Sequence, residues 1–311
     1  MPRKKRHHYV PQLYLKGFCH DPKQSELFVF DKIDKRQFPS NVINVAQSRY
    51  FHDSAPKYIA EGEPPQKVED LIAVLEGTLF KPQLETFISE VEGNGISEVR
   101  REAMAFFLML QMLRTNEYRQ RMDALFKQGL QPLVEFAERT GCPYPIPDLS
   151  HMDAYEQNMA SYWHGLLLLD WIGIYWRSQP LTKHIFLVGV NNSSTPFWTS
   201  DNPVIHTCHI KPFSTWEGLE AEGTEILYPL NHRLILVLRE RTYFADDQSF
   251  DGKCKEFTEQ EVIEANANQL AQCSRQVYSP SDDWWVADEV IKLYPEICKP
   301  EHDPLKLASV S

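Results

Sequence analysis

The chain has 311 residues, 42% hydrophobic and 24% charged, enough apolar material to bury one large core or two modest ones and too much for a disordered chain. Its formal net charge of −11 disfavours nonspecific wrapping of nucleic acid by a basic surface, so a polyanion has to meet a local positive patch. The six cysteines, Cys19, Cys142, Cys208, Cys254, Cys273 and Cys298, are scattered without a close pair, which reads as free thiols of a reducing cytoplasm and not as a disulfide framework.

Four consecutive cations, Arg3, Lys4, Lys5 and Arg6, open the chain and serve either as a phosphate-seeking arm or as a solvated tail. No apolar stretch or cleavage site follows, so secretion is not expected. The next nine residues, His7-His8-Tyr9-Val10-Pro11-Gln12-Leu13-Tyr14-Leu15, crowd two imidazoles, two phenols and an amide around one proline. Termini are normally the most degenerate part of a chain, so this density predicts a terminus folded back into a site. Neighbouring side chains diverge on a strand and on a helix alike, and at most one of His7 and His8 is expected to do chemistry.

Leu27–Asp31 reads as a short strand, with a brief hairpin partner across Asp34–Pro39. A proline-bearing linker, Ala55–Gln66, leads into a helical block from Val68, where Val68, Leu71, Ile72 and Leu75, and later Leu84, Phe87, Ile88 and Val91, sit at helical spacing. Gly93-Asn94-Gly95 is a stop, and Ser97 is placed to cap the next helix. Between Ala103 and Leu113 only Gln111 is strongly polar, which predicts a helix in the middle of a bundle. A further helix is expected over Met122–Arg139, a proline-rich break at Cys142–Pro147, and helix again over Asp153–Ser178. Its apolar part, Tyr162–Trp176, is interrupted by His164 and Asp170 and reads as a buried helix, not a membrane span.

After Pro180 the pattern turns to strands: Ile185–Val190, Phe197–Ser200, Glu225–Tyr228 and Leu234–Leu238, joined by short connections that predict a mostly antiparallel sheet. Helix returns over Thr258–Ser274 behind the capping box Thr258-Glu259-Gln260-Glu261, and Gln276–Tyr278 adds a last strand. This order predicts an α+β fold, a mostly antiparallel sheet with a large inserted helical block. A single domain over residues 1–311 is expected: 1–54 with the amino-terminal motif and a small β element, 67–178 the helical block, 181–280 the main sheet with a helix, and 281–311 a tail.

Several polar residues stand where a core is expected. Gln111 and Arg114 share one face at the end of the apolar helix, and Tyr118 extends that face. A buried guanidinium needs an anion, so Arg114 requires an internal carboxylate or a ligand phosphate or carboxylate. In Ser200-Asp201-Asn202-Pro203, the proline keeps Asn202 out of helix and leaves Asp201 at a strand end. There Asp201 is either a metal ligand or general base with Asn202 orienting it, or part of an Asx-turn. Asp31 and Asn231 read as turn residues and Asn266 as a hydrogen-bonded core amide. His206-Thr207-Cys208-His209 lacks the second ligand pair of a structural zinc site. Nor is there a P-loop, a GxGxxG fingerprint, a GxSxG elbow or an HExxH helix.

Taken together, HHYVPQ-x-YL-x-x-F (His7–Phe18), FDK (Phe30–Lys32), Q-x-x-RT (Gln111–Thr115), SDNP (Ser200–Pro203), PLN (Pro229–Asn231) and VYS (Val277–Ser279) resemble an uncharacterised bacterial domain-of-unknown-function family. The resemblance covers nearly the whole chain. It implies a soluble, mostly bacterial protein, and it brings no established reaction.

The leading functional expectation is a phosphodiesterase or nuclease-like hydrolase with His7, His8, Arg114 and Asp201 as catalytic candidates. Tyr9, Gln12, Tyr14, Gln111, Asn202 and Asn231 are the substrate-binding candidates. A histidine supplies acid or base near neutral pH, an arginine meets phosphate charge, and Asp201 could hold a divalent ion such as magnesium. Nucleic acid or a nucleotide would then be the ligand. The alternative is a non-enzymatic module that binds an anionic ligand or a protein partner. A third reading makes the same motifs a structural knot that locks the terminus to the sheet.

Overall fold

A computed structural model describes residues 5–53, 64, 66–93, 96–124, 139, 152–210 and 218–299 of the chain. Arg3 and Lys4, most of the Ala55–Gln66 linker, residues 125–138 of the helix expected to reach Arg139, and the Cys142–Pro147 break lie outside these residues.

The amino-terminal part builds strand β1 (Arg6–His8), helix α1 (Gln12–Leu15) and strands β2 (Glu26–Asp31), β3 (Arg36–Asn41) and β4 (Gln47–Arg49). The helical block holds α2 (Lys67–Leu75), α3 (Lys81–Gly93), α4 (Glu98–Leu113), α5 (described over 116–124), α6 (Met152–Leu169) and α7 (Trp171–Thr182). Strands β5 (Ile185–Asn191), β6 (Thr199–Ser200), β7 (Ile205–Cys208), β8 (Thr224–Pro229), β9 (Leu234–Arg239) and β10 (Lys253–Phe257) follow. Helix α8 (Glu259–Gln272), strand β11 (Gln276–Ser279) and helix α9 (Trp285–Leu293) complete the described chain.

The strongest strands are unbroken apolar runs because the five-stranded sheet, ordered β10-β5-β9-β8-β7, is covered on both faces. Phe186, Val188, Ile226, Tyr228, Leu236 and Leu238 face the core shared with Met104 and Leu108 of α4. Ile185, Leu187, Ile205, Leu227, Ile235 and Val237 face Val262 and Ala265 of α8. Adjacent residues thus go to opposite covers, as the two-residue period of a strand requires. All pairings in this sheet are antiparallel except β10 with β5.

A four-stranded sheet, ordered β3-β2-β11-β6, joins the two ends of the chain. Its strands β2 and β3 precede the helical block, and β6 and β11 follow it. The fold is α+β, mostly antiparallel, with the helices inserted between parts of this sheet. Three local expectations are corrected. The partner of β2 is six residues long and not brief, and Pro39 is tolerated within it because β3 is an edge strand. Thr199–Ser200 pairs with β11 instead of joining the main sheet. The helix expected over Asp153–Ser178 breaks at Asp170, whose carboxylate accepts the Gly173 N–H at 2.9 Å and caps α7. Nor is that helix buried, since Trp163, Ile172, Tyr175 and Trp176 are exposed. Among the described residues no helix is long and apolar enough to cross a membrane.

Lys32, in the FDK run, ties the amino-terminal sheet to α8. Its buried ammonium donates to the carbonyls of Leu270, Ala271 and Cys273 at 3.3, 3.3 and 2.5 Å. These carbonyls end a helix and have no partner in the next turn, and a cation there also opposes the negative end of the helix dipole. Lys32→Met keeps the length of the side chain and deletes all three bonds. Urea unfolding is expected to show it destabilised by about 1–3 kcal/mol, the cost of leaving buried acceptors unmet; unchanged stability would show that water replaces the ammonium.

Candidate functional site

The site begins at the amino terminus. β1 pairs with β4 through Arg6 to Arg49, His7 to Ser48 and His8 to Gln47. Two residues of that segment are then held from the other side by the end of α4: Arg114 donates to the His8 carbonyl at 2.6 Å and Gln111 to the Tyr9 carbonyl at 3.0 Å. The three-residue spacing that puts both side chains on one helix face thus matches two successive carbonyls of the incoming strand. Arg114 is buried, and its second terminal nitrogen lies 2.7 Å from Glu76. The anion it requires is internal.

Glu76 begins a π-helical turn, Glu76–Phe80, between α2 and α3. Pro82 has no N–H to give the helix ladder two residues into α3, which favours a re-registered turn just before it. Glu69, Ile72 and Glu76 project from this continuous element into a pocket of about 240 Å³. Arg6, His8, Gln12, Ile43, Ala73 and Arg114 complete its lining.

His8 faces this pocket in a definable tautomer. The Gln12 amide nitrogen can only donate and lies 3.4 Å from His8 Nδ1, while His8 Nε2 is 3.3 Å from the Ile43 carbonyl, which can only accept. The ring proton therefore sits on Nε2, and Nδ1 carries the lone pair. Burial lowers the pKa of this imidazole below its ordinary value.

His7 points the opposite way and is fully buried. Its Nδ1 accepts the His52 backbone N–H at 3.1 Å, its Nε2 lies 3.8 Å from Asp53, and its ring stacks on His52 with centroids 5.8 Å apart. His52 Nδ1 bonds Glu69 at 2.9 Å, and burial holds the His52 imidazole well below its ordinary pKa, in the neutral form. Arg119 clamps this segment, donating to the Phe51 carbonyl at 2.8 Å and lying over the Phe51 ring. Among the described residues, His7, His52 and Glu69 form the grouping of three side chains whose ligand atoms lie within 4.8 Å of one another.

The remaining residues singled out in the sequence are engaged elsewhere. Asp201 is buried and accepts three backbone N–H groups, from Ser274 at 2.8 Å, Arg275 at 2.9 Å and Gln276 at 3.0 Å. Asn202 donates to the Gln272 carbonyl, and Asn231 accepts from Arg233 and Leu234 N–H to close the turn between β8 and β9. Tyr14 is buried, with its hydroxyl 2.7 Å from both Thr199 and the Pro229 carbonyl and its ring stacked on Tyr228. The pocket thus gathers His8, Gln12 and Arg114, with Gln111 and Tyr9 bonded just behind it. Asp201, Asn202, Asn231 and Tyr14 are not among its lining residues.

A family model for proteins of unknown function, DUF4238, matches residues 6–283. The chain belongs to the DUF4238 family. Comparison with curated proteins and with solved structures returns no match. The DUF4238 match spans the amino-terminal segment, the pocket and the Asp201 contacts alike.

In this DUF4238 chain, sequence reasoning passed over His52, Asp53, Glu69 and Glu76. A signal existed for two of them: Glu69 and Glu76 are seven apart and flank Ile72 on the stripe that carries Val68 and Leu75, so both carboxylates fall on the face that seeks the core.

Asp201 has a testable titration. Burial pushes its carboxyl up to about 6, against the three N–H donors that favour the charged form. An unfolded aspartate releases its proton near 3.9, so between roughly pH 4 and 6 the folded chain binds more protons. The residue's contribution to stability is therefore greatest below about pH 4 and is lost as pH rises through 6. In Asp201→Asn the amide nitrogen faces an N–H donor, and unfolding by urea is expected to show a loss of about 1–3 kcal/mol. That loss should be larger at pH 4 than at pH 7; a pH-independent loss would contradict the assignment.

Proposed function

We propose that this pocket binds and hydrolyses a phosphodiester of a nucleotide or a single-stranded nucleic acid. The observation that carries the reading is the lone pair of His8 Nδ1, fixed by the Ile43 carbonyl and the Gln12 amide, in a pocket that also presents Arg6 and Arg114. Once the Gln12 amide, 3.4 Å away, turns from Nδ1 to an attacking water, the neutral imidazole can take that water's proton. Arg6 opposes the charge that grows on the phosphoryl oxygens, Arg114 being held by Glu76 and the His8 carbonyl, and Gln12 orients the water. The proton collected by His8 then passes to the leaving oxygen, so the products are a phosphomonoester and an alcohol. The pocket's volume suits a phosphoryl group and its immediate substituents, and with Arg114 paired to Glu76 it is Arg6 at the rim that offers an anion a cation. The thiols of Cys19, Cys208, Cys273 and Cys298, which form no disulfide, suit a reducing bacterial cytoplasm.

One observation favours a non-enzymatic alternative, capture of an anionic ligand or an acidic protein segment. Both carboxylates of the pocket are engaged, Glu76 by Arg114 and Glu69 by His52, which leaves His8 alone to move protons. A panel of single- and double-stranded RNA and DNA and a cyclic nucleotide, each assayed with magnesium, manganese or chelator, separates the two. Hydrolysis is expected for a nucleotide or single-stranded substrate, and His8→Gln should reduce it at least about 100-fold, the usual range for loss of a general base, while substrate still binds. Tight binding of one member without turnover would replace the hydrolase by the binding module.

A further inference from the structure

We propose that His7, His52 and Glu69 form a binding site for a divalent transition-metal ion, zinc or a close relative. The three side chains are buried and come from three separate elements, β1, the segment after β4, and α2. Their ligand atoms lie within 4.8 Å of one another. Glu69 Oε2 is the common vertex, 2.9 Å from His52 Nδ1 and 3.9 Å from His7 Nδ1. These separations bracket the roughly 3.4 Å edge of a tetrahedron with metal bonds of about 2.0–2.1 Å. Two imidazole nitrogens and one carboxylate oxygen select a borderline ion such as zinc over magnesium or calcium, which prefer oxygen donors alone.

One ring proton is already placed for such an ion and the other has a vacant nitrogen to move to. His7 Nδ1 accepts a hydrogen bond, so its proton is on Nε2, and Asp53 Oδ1 lies 3.8 Å from that nitrogen, a step beyond hydrogen-bond distance. A carboxylate behind a histidine is the outer contact that orients metal-binding imidazoles. His52 carries its proton on Nδ1 toward Glu69, and its buried Nε2 has no hydrogen-bond partner. On metal entry the His52 proton moves from Nδ1 to this vacant Nε2, Nδ1 turns its lone pair to the ion, and no net proton is lost from either neutral ring. The His52 backbone N–H gives up His7 Nδ1 in the same exchange.

Glu69 connects the cluster to the pocket that holds His8, Gln12 and Arg114, which it lines while His7 and His52 do not. Three protein ligands leave a fourth position for water or substrate, unlike a closed four-ligand structural site. The proposal stands apart from the hydrolase reading, because occupancy is measured without substrate.

The experiment uses the full chain without a histidine tag, stripped with chelator and dialysed against zinc or cobalt. One ion per chain is expected, with the visible cobalt spectrum of four- or five-coordination and X-ray absorption showing imidazole nitrogen with oxygen and no sulfur. Glu69→Gln and His52→Gln should each weaken binding by more than tenfold, and Asp53→Asn by roughly tenfold, the range for outer-shell changes. Zinc should raise the melting temperature of the unmodified chain and not that of Glu69→Gln. The unmodified chain alone decides the matter if the variants misfold. Retention of no metal after dialysis, a spectrum with sulfur ligands, or folded variants that keep full occupancy would each overturn the proposal.

Discussion

Two backbone carbonyls organise the amino-terminal half of the site. Those of His8 and Tyr9 are gripped by Arg114 and Gln111 at the end of a core helix, and a hydrogen bond from a charged donor to a buried acceptor contributes roughly 1.5–3 kcal/mol. Once the segment lies there, strand geometry does the rest. His7 must point away from His8, so one imidazole enters the cluster with His52 and Glu69 while the other turns to the pocket. Arg114 also meets Glu76, which sets the opposite wall relative to the strand. A single guanidinium therefore links three elements far apart in sequence.

The other end of the described chain follows a second constraint. Residues 196–206 run along α8 with a bend at Asp201-Asn202, and only Thr199–Ser200 is in a strand there before β7 begins. Backbone groups that a sheet would satisfy need other partners, and side-chain amides of α8 supply them. Asn266 accepts from Trp198 N–H and donates to the Pro196 carbonyl, Gln269 donates to the Pro203 carbonyl, and Gln272 bonds both backbone groups of His206. The three amides are spaced three residues apart along one helix face. Asp201 completes the clasp by gathering the N–H groups at the start of β11. The SDNP run is the receiving half of that joint.

This explains which parts were legible. Local periodicity marked the apolar helix α4, the capping box of α8, the three central strands β5, β8 and β9 of the main sheet and the insertion of helices between sheet strands, while the edge strands β7 and β10, short and partly polar, went unmarked. It also marked His8, Gln12, Gln111 and Arg114, because polar groups crowded at a terminus or at the end of an apolar helix are locally conspicuous. What a polar residue bonds to is a tertiary fact. Asp201 and Asn202 have the residue types of a catalytic loop and are equally suited to holding backbone N–H and carbonyl groups. The sequence contains no sign that the partners are Ser274, Gln276 and Gln272, some seventy residues away. His52 and Asp53 were silent for the opposite reason: an isolated His-Asp pair after an aromatic run has no local oddity, and its importance arises only when β4 brings it beside His7.

Hydrogen–deuterium exchange on Arg114→Met tests most directly whether that guanidinium seats the amino terminus. The account expects amide protection to fall in residues 6–12 and 47–52, where the strand pair and the His52 segment depend on the anchored carbonyls, while β5, β8 and β9 keep theirs because their contacts lie across the main sheet. Unchanged protection in residues 6–12 would show that the β1–β4 pairing holds the terminus without Arg114, and would contradict the account.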